Sequence, residues 1–242
     1  MTRKSLLIAA MLAVLVYPAA AGVSRIDAEE TRHPAPAPRP ASRTPGRAKR
    51  PGKAMMPLLV NKSRALPRGY VPAGLRPAAV PFACPEGSQK RLMTDEAARA
   101  LERLFAQAEA DGVALVGVSA YRSYDRQRAI HASQVQRYGE EEADRVSARP
   151  GRSEHQSGLA VDVSSPAVGG ALVEAFGETP EGRWLAQNAP AFGFVIRYPK
   201  GSEDITGYRY EPWHLRYVGA GHALAMAEKG LTLEEYVAAE TI

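Results

Sequence analysis

The first strong hydrophobic period follows Thr94-Asp95-Glu96, where Ala97, Leu101, Leu104, Phe105 and Ala108 recur at three- and four-residue intervals. That spacing predicts an amphipathic helix capped at Thr94-Asp95-Glu96 and ending near Asp111-Gly112. Val and Leu then crowd into Ala114 to Ser119, predicting a strand. Ser123 to Tyr138 has no Pro or Gly and sets Ile130, Gln134 and Tyr138 on one side, so a second helix is expected with Ser123 or Asp125 near its start. From Gly151 to Ser165 the chain is punctuated by Gly and Ser, while Leu159, Val161 and Val163 alternate with other residues, which predicts a turn entering a strand.

Further on, a helix is expected from Thr179 through Trp184 to Asn188, strands at Phe192 to Ile196 and Tyr208 to Tyr217, and helices over Val218 to Lys229 and Thr232 to Ala239. Thr232 and Glu235 have capping-box spacing. The apolar Leu58-Leu59-Val60 opens the pattern, and the Pro- and Gly-rich stretch from there to Pro85 is expected to wrap irregularly over the core. Strands mixed with helices, with no internal repeat and no regular alternating unit, predict an α+β fold.

Composition changes this picture mainly at the N-terminus. The chain has 242 residues, 45% of them hydrophobic, and a net charge of +5. Residues 1–56 hold 10 Lys and Arg against 3 Asp and Glu, which leaves 21 basic and 23 acidic residues from 57 onward. The basicity therefore belongs to the tail, and a nucleic-acid-binding domain is disfavoured. Arg3 and Lys4, the apolar Leu6 to Val16, Pro18 and Ala19-Ala20-Ala21 together read as an export signal cleaved after Ala21. An uncleaved membrane anchor is the alternative, although the apolar run is short of the ~20 residues a span requires. Residues 22–56 are rich in Pro, Ala, Arg and Lys and read as a linker, either a solvated tether or one loosely associated with an anionic envelope. A single folded domain is expected over 57–242.

The single cysteine, Cys84, excludes an intramolecular disulfide framework and any multi-cysteine zinc knuckle. It is read as a small buried hydrophobe. Any zinc ligands must then be His and carboxylate. His33 sits in the linker, and the domain holds His131, His155, His214 and His222. Ser153-Glu154-His155-Gln156-Ser157-Gly158-Leu159-Ala160-Val161-Asp162 places a His and an Asp seven residues apart. On a straight strand they would stand over ~20 Å from each other, so the chain must fold back, and Gly158 makes such a reversal available. In Glu211-Pro212-Trp213-His214 the proline argues against a helix interior.

A catalytic zinc site needs three protein ligands, an open position and a carboxylate to take a proton from water. His155, Asp162 and His214 would supply the ligands and Glu211 the base. On the residues alone, ordinary surface or core positions remain the alternative.

The joint pattern goes further. The chain resembles the VanY-type D-alanyl-D-alanine carboxypeptidases and their D,D-dipeptidase relatives. Ser153, His155, Gly158, Ala160 and Asp162 match the family's S-x-H-x-x-G-x-A-x-D motif, and Glu211, Trp213 and His214 match E-x-W-H. Tyr121-Arg122-Ser123 matches a third element, with Gln127 further along. The resemblance runs from Leu58 to about Tyr236.

It implies a hedgehog/D,D-peptidase-like domain with a small central antiparallel sheet flanked by helices. It also implies zinc held by His155, Asp162 and His214, Glu211 as catalytic base, and a peptidoglycan stem peptide as substrate. Arg122 is the candidate for binding carbonyl or carboxylate oxygens, because guanidinium offers a planar fork of donors. Ser153 either binds the substrate's terminal carboxylate or forms the turn, and Gln127 either contacts the peptide or lies on a helix surface. Trp213 is expected in the pocket wall, Glu154 either in solvent or behind a ligand, and His131 and His222 in packing or surface positions. Ser119 lacks the G-x-S-x-G elbow of a serine hydrolase.

Terminal D-alanine removal is the expected activity, with cross-link endopeptidase and D,D-dipeptidase as alternatives sharing the site, and a non-catalytic wall-binding module as the competitor from another class. An exported monomer in the periplasm or cell envelope, without nucleic acid, completes the expectation.

Overall fold

A computed structural model describes residues 56–241. The expected export signal, nearly all of the expected linker, and His33 lie outside the described residues.

In chain order the elements are β1 (Leu75–Pro77), β2 (Leu92–Thr94), α1 (Asp95–Ala110), β3 (Val116–Ser119), α2 (Tyr124–Tyr138), α3 (Glu140–Val146), β4 (Ala160–Ser164), α4 (Pro180–Asn188), β5 (Phe194–Tyr198), α5 (Glu203–Thr206), β6 (Glu211–Tyr217), α6 (Ala220–Lys229) and α7 (Leu233–Glu240). β3, β4, β6 and β5 pair in that order into a fully antiparallel four-stranded sheet, and β1 and β2 form a separate antiparallel pair. The α+β expectation therefore holds, including the small antiparallel sheet flanked by helices.

The alternation of side chains along the strands separates two chemistries. Val161 and Val163 on β4, Leu215 and Tyr217 on β6 and Phe194 on β5 join the main core. Against them pack Ala97, Leu101, Leu104, Phe105 and Ala108 of α1, as their helical spacing predicts. The intervening residues Asp162, His214, Arg216 and Arg197 project from the other face, because successive strand side chains point to opposite sides. All four are nevertheless buried. A second apolar cluster joins Val195 to Val218, Ala223 and Met226 around α6, and to Leu233, Tyr236 and Val237 of α7.

Local signals mostly place the elements correctly. Ser123 accepts a hydrogen bond from the Arg126 amide and caps α2. Thr232 and Glu235 form the reciprocal capping box of α7. The start of α1 differs in detail: Thr94 belongs to β2 and its hydroxyl makes no cap bond, while Asp95 and Glu96 place negative charge in the first turn, where the helix dipole favours it. The segment from Leu58 to Pro85 does wrap over the core. The Leu66 amide donates to the Gly151 carbonyl at 2.7 Å, and the Gln156 amide group donates to the carbonyls of Pro67 and Tyr70.

β1, β2, α3 and α5 are additions to the sequence reading. Three-residue strands leave no period to detect, α5 is four residues long, and α3 is an acidic segment whose only buried residue is Ala143.

Candidate active site

Asp162 on β4 and His214 on β6 are Cα partners across adjacent antiparallel strands, so the sheet itself brings them together. Oδ1 of Asp162 lies 3.2 Å from Nδ1 of His214. His155 comes from a 3-10 turn spanning Glu154–Ser157, and its Nε2 lies 3.4 Å from Oδ2 of Asp162. The reversal that the seven-residue spacing demands occurs at Gly158, whose φ of 68° is left-handed. A Cβ there would also stand 2.8 Å from Cδ2 of Leu75.

All three side chains are buried, and one donor atom from each falls within 4.8 Å of the others. Two imidazoles and a carboxylate suit zinc and leave one tetrahedral position without a protein ligand. The hydrogen bonds fit such an ion. Nδ1 of His155 lies 2.6 Å from the Ala120 carbonyl, which can only accept, so Nδ1 carries the proton and Nε2 presents its lone pair to the site. Nε2 of His214 lies 3.4 Å from Oε2 of Glu154, which leaves Nδ1 facing Asp162.

The charges are strongly coupled. Burial would raise the Asp162 pKa, but His155 and His214 outweigh it and hold the carboxyl well below its usual range. Burial lowers the His155 pKa. At His214 burial acts in the same direction, but Asp162 and Glu154 reverse it and push the imidazole up to about 9.

Glu211 opens β6, with Oε2 3.7 Å from Nδ1 of His214. Residues three apart on a regular strand face opposite sides, so this contact needs an irregularity. The register supplies it: between Ile196 and Tyr198, two steps along β5 match four along β6. Pro212 sits within this stretch, in a strand rather than a helix, as the sequence indicates. Burial pushes the Glu211 carboxyl up to about 7, with His214 opposing and Asp162 reinforcing the shift.

Arg122 precedes α2 and turns into the site. Its Nη1 donates to Oε1 of Gln127 at 2.9 Å, its Nη2 donates to Oγ of Ser119 at 3.2 Å, and the same Nη2 lies 3.8 Å from Oδ2 of Asp162. Burial lowers its pKa, while Asp162 and Glu211 pull it back up. Gln127 is buried rather than on the helix surface: its amide group donates to the Ala148 carbonyl at 2.7 Å and to Oγ of Ser147 at 3.3 Å. It thereby fixes both Arg122 and the segment after α3.

A cleft of about 430 Å³ is lined by all eight residues singled out in the sequence: Arg122, Gln127, Ser153, His155, Asp162, Glu211, Trp213 and His214. Ser153 borders the cleft and also starts the 3-10 turn, while half-buried Trp213 packs against the main core from the cleft wall.

Glu154 takes the second of its two expected places: it is fully buried behind His214, where burial would raise its pKa but Arg197 and Arg216 hold it below the carboxylate range. One reading needs correction. Cys84 is half-buried rather than buried, for it lies in the exposed loop after Pro81. His131 and His222 bond to Asp144 and Tyr236, away from the cleft, in packing roles as expected.

Sequence reasoning missed Tyr198 and Tyr208, which line the cleft with their rings 4.7 Å apart, and missed Arg197 and Arg216. An Arg inside the apolar runs Phe194-Val195-Ile196-Arg197-Tyr198 and Leu215-Arg216-Tyr217 was the available signal, since buried charges require partners.

Comparison with known proteins agrees with this geometry. The family model described as D-alanyl-D-alanine carboxypeptidase, VanY, matches residues 90–220. YodJ of Bacillus subtilis (strain 168) is 52% identical over 178 residues, covering 74% of this chain and 65% of that protein. The chain spans between 44% and 65% of the length of the curated relatives it matches. Among solved structures, the LdcB LD-carboxypeptidase is 51% identical with a TM-score of 0.72, over 74% of this chain and 84% of that one. A mutant of the vancomycin-resistance D,D-pentapeptidase VanY, solved in complex with Zn(II), is 33% identical with a TM-score of 0.62, over 74% of this chain and 97% of that one.

Proposed function

The chain belongs to the VanY family of D-alanyl-D-alanine carboxypeptidases, and from that premise we propose that it is a zinc-dependent carboxypeptidase releasing the terminal D-alanine of peptidoglycan stem peptides. The observation that carries the reading is the meeting of a buried His155–Asp162–His214 donor set with the Glu211 carboxylate and the Arg122 guanidinium in one cleft. His155, Asp162 and His214 would hold the zinc, as its donor preferences require.

Bound zinc supplies Lewis acidity, bringing the pKa of a water toward ~7 and polarising the scissile carbonyl. Glu211, whose Oε2 lies 3.7 Å from Nδ1 of His214, takes the proton from the attacking water and returns it to the departing D-alanine amine. Arg122, held in orientation by Gln127 and Ser119, binds substrate oxygens through its free donor edge. Ser153 contributes a buried hydroxyl to the cleft lining, and Trp213 forms the wall.

Cleavage of the D-Ala-D-Ala bond of a pentapeptide stem follows the family description. A second reading, cleavage of an L-residue–D-alanine bond in a tetrapeptide stem, is favoured by the greater identity and TM-score to the LD-carboxypeptidase. Endopeptidase and D,D-dipeptidase activity would use the same residues. A non-catalytic module would be expected to have lost a ligand or the base, and all are present.

In this proposal 1–21 is an export signal, 22–56 a basic linker and 57–242 the catalytic domain. The protein acts as a monomer in the periplasm or envelope. The N-terminal sequence supports export, and the separation of the basic tail from a nearly neutral domain supports loose envelope association without nucleic acid.

The test is D-alanine release by the full chain from matched tetrapeptide and pentapeptide stems, with and without chelator, beside Glu211→Ala. Chelator-sensitive release, restored by zinc and missing in Glu211→Ala, supports the reading, and the better substrate names the bond. No release from either stem by zinc-loaded protein sinks it.

A further inference from the structure

We infer that Glu154 is a positioning residue for His214, holding its imidazole from behind and thereby setting the affinity of the site for its metal. The inference rests on the reading of His214 as a ligand and adds a group that makes no bond to the metal itself.

The two oxygens of Glu154 have separate tasks. Oε1 accepts from Nε of Arg197 at 2.7 Å and from Nη1 of Arg216 at 2.6 Å. Oε2 is left for Nε2 of His214 at 3.4 Å. The side chains of Glu154, Arg197 and Arg216 are all 0% exposed, so no water competes for these bonds.

Both arginines are anchored at their far ends. Arg197 makes a two-pronged pair with Glu234 of α7, at 2.8 and 2.6 Å, and Nη2 of Arg216 donates to the Leu58 carbonyl at 2.5 Å. The carboxylate is thus held by β5, β6, α7 and the chain entering the domain.

Fold stability alone is a poor account of this arrangement. A buried ion network is commonly no more stabilising than apolar residues of the same volume. The network does present one fixed acceptor to a ring nitrogen that must not face the metal. With Nε2–H held against Glu154, Nδ1 is the nitrogen that gives up its proton when a metal takes its lone pair, and a carboxylate behind an imidazole raises its basicity as a ligand. His155 receives only a neutral carbonyl, from Ala120. The two imidazoles are therefore supported unequally, and His214 has the charged support.

The experiment measures zinc affinity of the full chain by competition with a chromogenic chelator, together with the His214 tautomer from nitrogen-15 NMR of histidine-labelled, zinc-loaded protein. Glu154→Gln is compared with Glu234→Gln, which removes a charge from the far side of Arg197 without touching His214. The expected result is zinc affinity about 10- to 100-fold weaker in Glu154→Gln with loss of a single Nε2–H tautomer, whereas Glu234→Gln lowers the melting temperature and keeps wild-type affinity. If Glu154→Gln fails to fold, Glu154→Asp retains the charge while withdrawing it from His214, and must show the same weakening. Wild-type affinity in whichever Glu154 variant folds, or equal loss in Glu234→Gln, overturns the inference. A wild-type chain that binds no zinc sinks the ligand reading first, an outcome distinguishable from failure of Glu154 alone.

Discussion

Glu211 and His214 lie three residues apart on one strand, yet Oε2 of the first stands 3.7 Å from Nδ1 of the second. The irregular pairing of β5 with β6 makes the contact, and it places an ionisable carboxyl against a buried cluster that already contains Asp162. In the metal-free protein a raised carboxyl pKa and a local cost in stability follow from the same placement.

Glu211→Gln is therefore expected to lower D-alanine release by about 10²- to 10⁴-fold while leaving zinc bound. In the metal-free protein it should act oppositely on stability. A carboxyl whose folded pKa rises from 4.5 to about 7 favours folding in its protonated form. Its contribution is complete below the unfolded pKa and is lost as pH rises through the folded one. Gln imitates the protonated acid, so in chelator the variant should melt several degrees above wild type at pH 8 and with it at pH 4.5. Equal melting temperatures at pH 8 would refute the assignment.

Arg122→Lys keeps the charge but loses the fork that engages Gln127 and Ser119 together. A rise in KM and a fall in kcat/KM of about 10- to 100-fold are expected, with zinc affinity retained. Gln127→Ala should reproduce part of this loss at a distance. It also leaves the Ala148 carbonyl without its donor, at a cost of about 1–3 kcal/mol. Steady-state kinetics and thermal melting separate the two effects.

At Gly158 any side chain meets both a left-handed φ of 68° and Leu75 at 2.8 Å. Gly158→Ala should destabilise by about 1–3 kcal/mol and shift His155 relative to Asp162. Denaturant unfolding and zinc titration of the same variant should both register the change.

Thr232→Ala removes the capping box of α7, none of whose residues lines the cleft. A loss of about 1 kcal/mol, or about 2–4 °C in melting temperature, is expected, with kcat/KM of the folded protein unchanged. A change in kcat/KM would show that α7 reaches the site more strongly than its cap suggests.

Much of this was legible in the sequence because it rests on period and spacing. The buried face of α1, the Val161 and Val163 alternation and the α7 cap each follow from local rules. The His155–Asp162–His214 cluster was legible as a motif, and the seven-residue span from His155 to Asp162 correctly demanded a reversal. Other features depend on contacts between distant segments. Glu154 beside His155 reads as one more charged residue until β5 and β6 deliver Arg197 and Arg216 to it. Gln127 looked as much like a surface residue as a functional one, because its partners Arg122 and Ala148 come from opposite ends of the α2–α3 unit.

The two sides of the cleft differ in how they are held. The sheet side is backed by the apolar core, whereas α2 buries only Gln127 and meets α3 through His131–Asp144 at 2.9 Å, with α3 in turn tied to the segment after it by the Arg149 pairs with Asp144 and Glu140. Dispersion and area burial fix the first side regardless of salt, while ionic strength weakens the half-exposed latches of the second. One wall of the cleft is therefore held by packing and the other by polar pairs, so raised salt should loosen the α2–α3 wall while leaving the sheet in place.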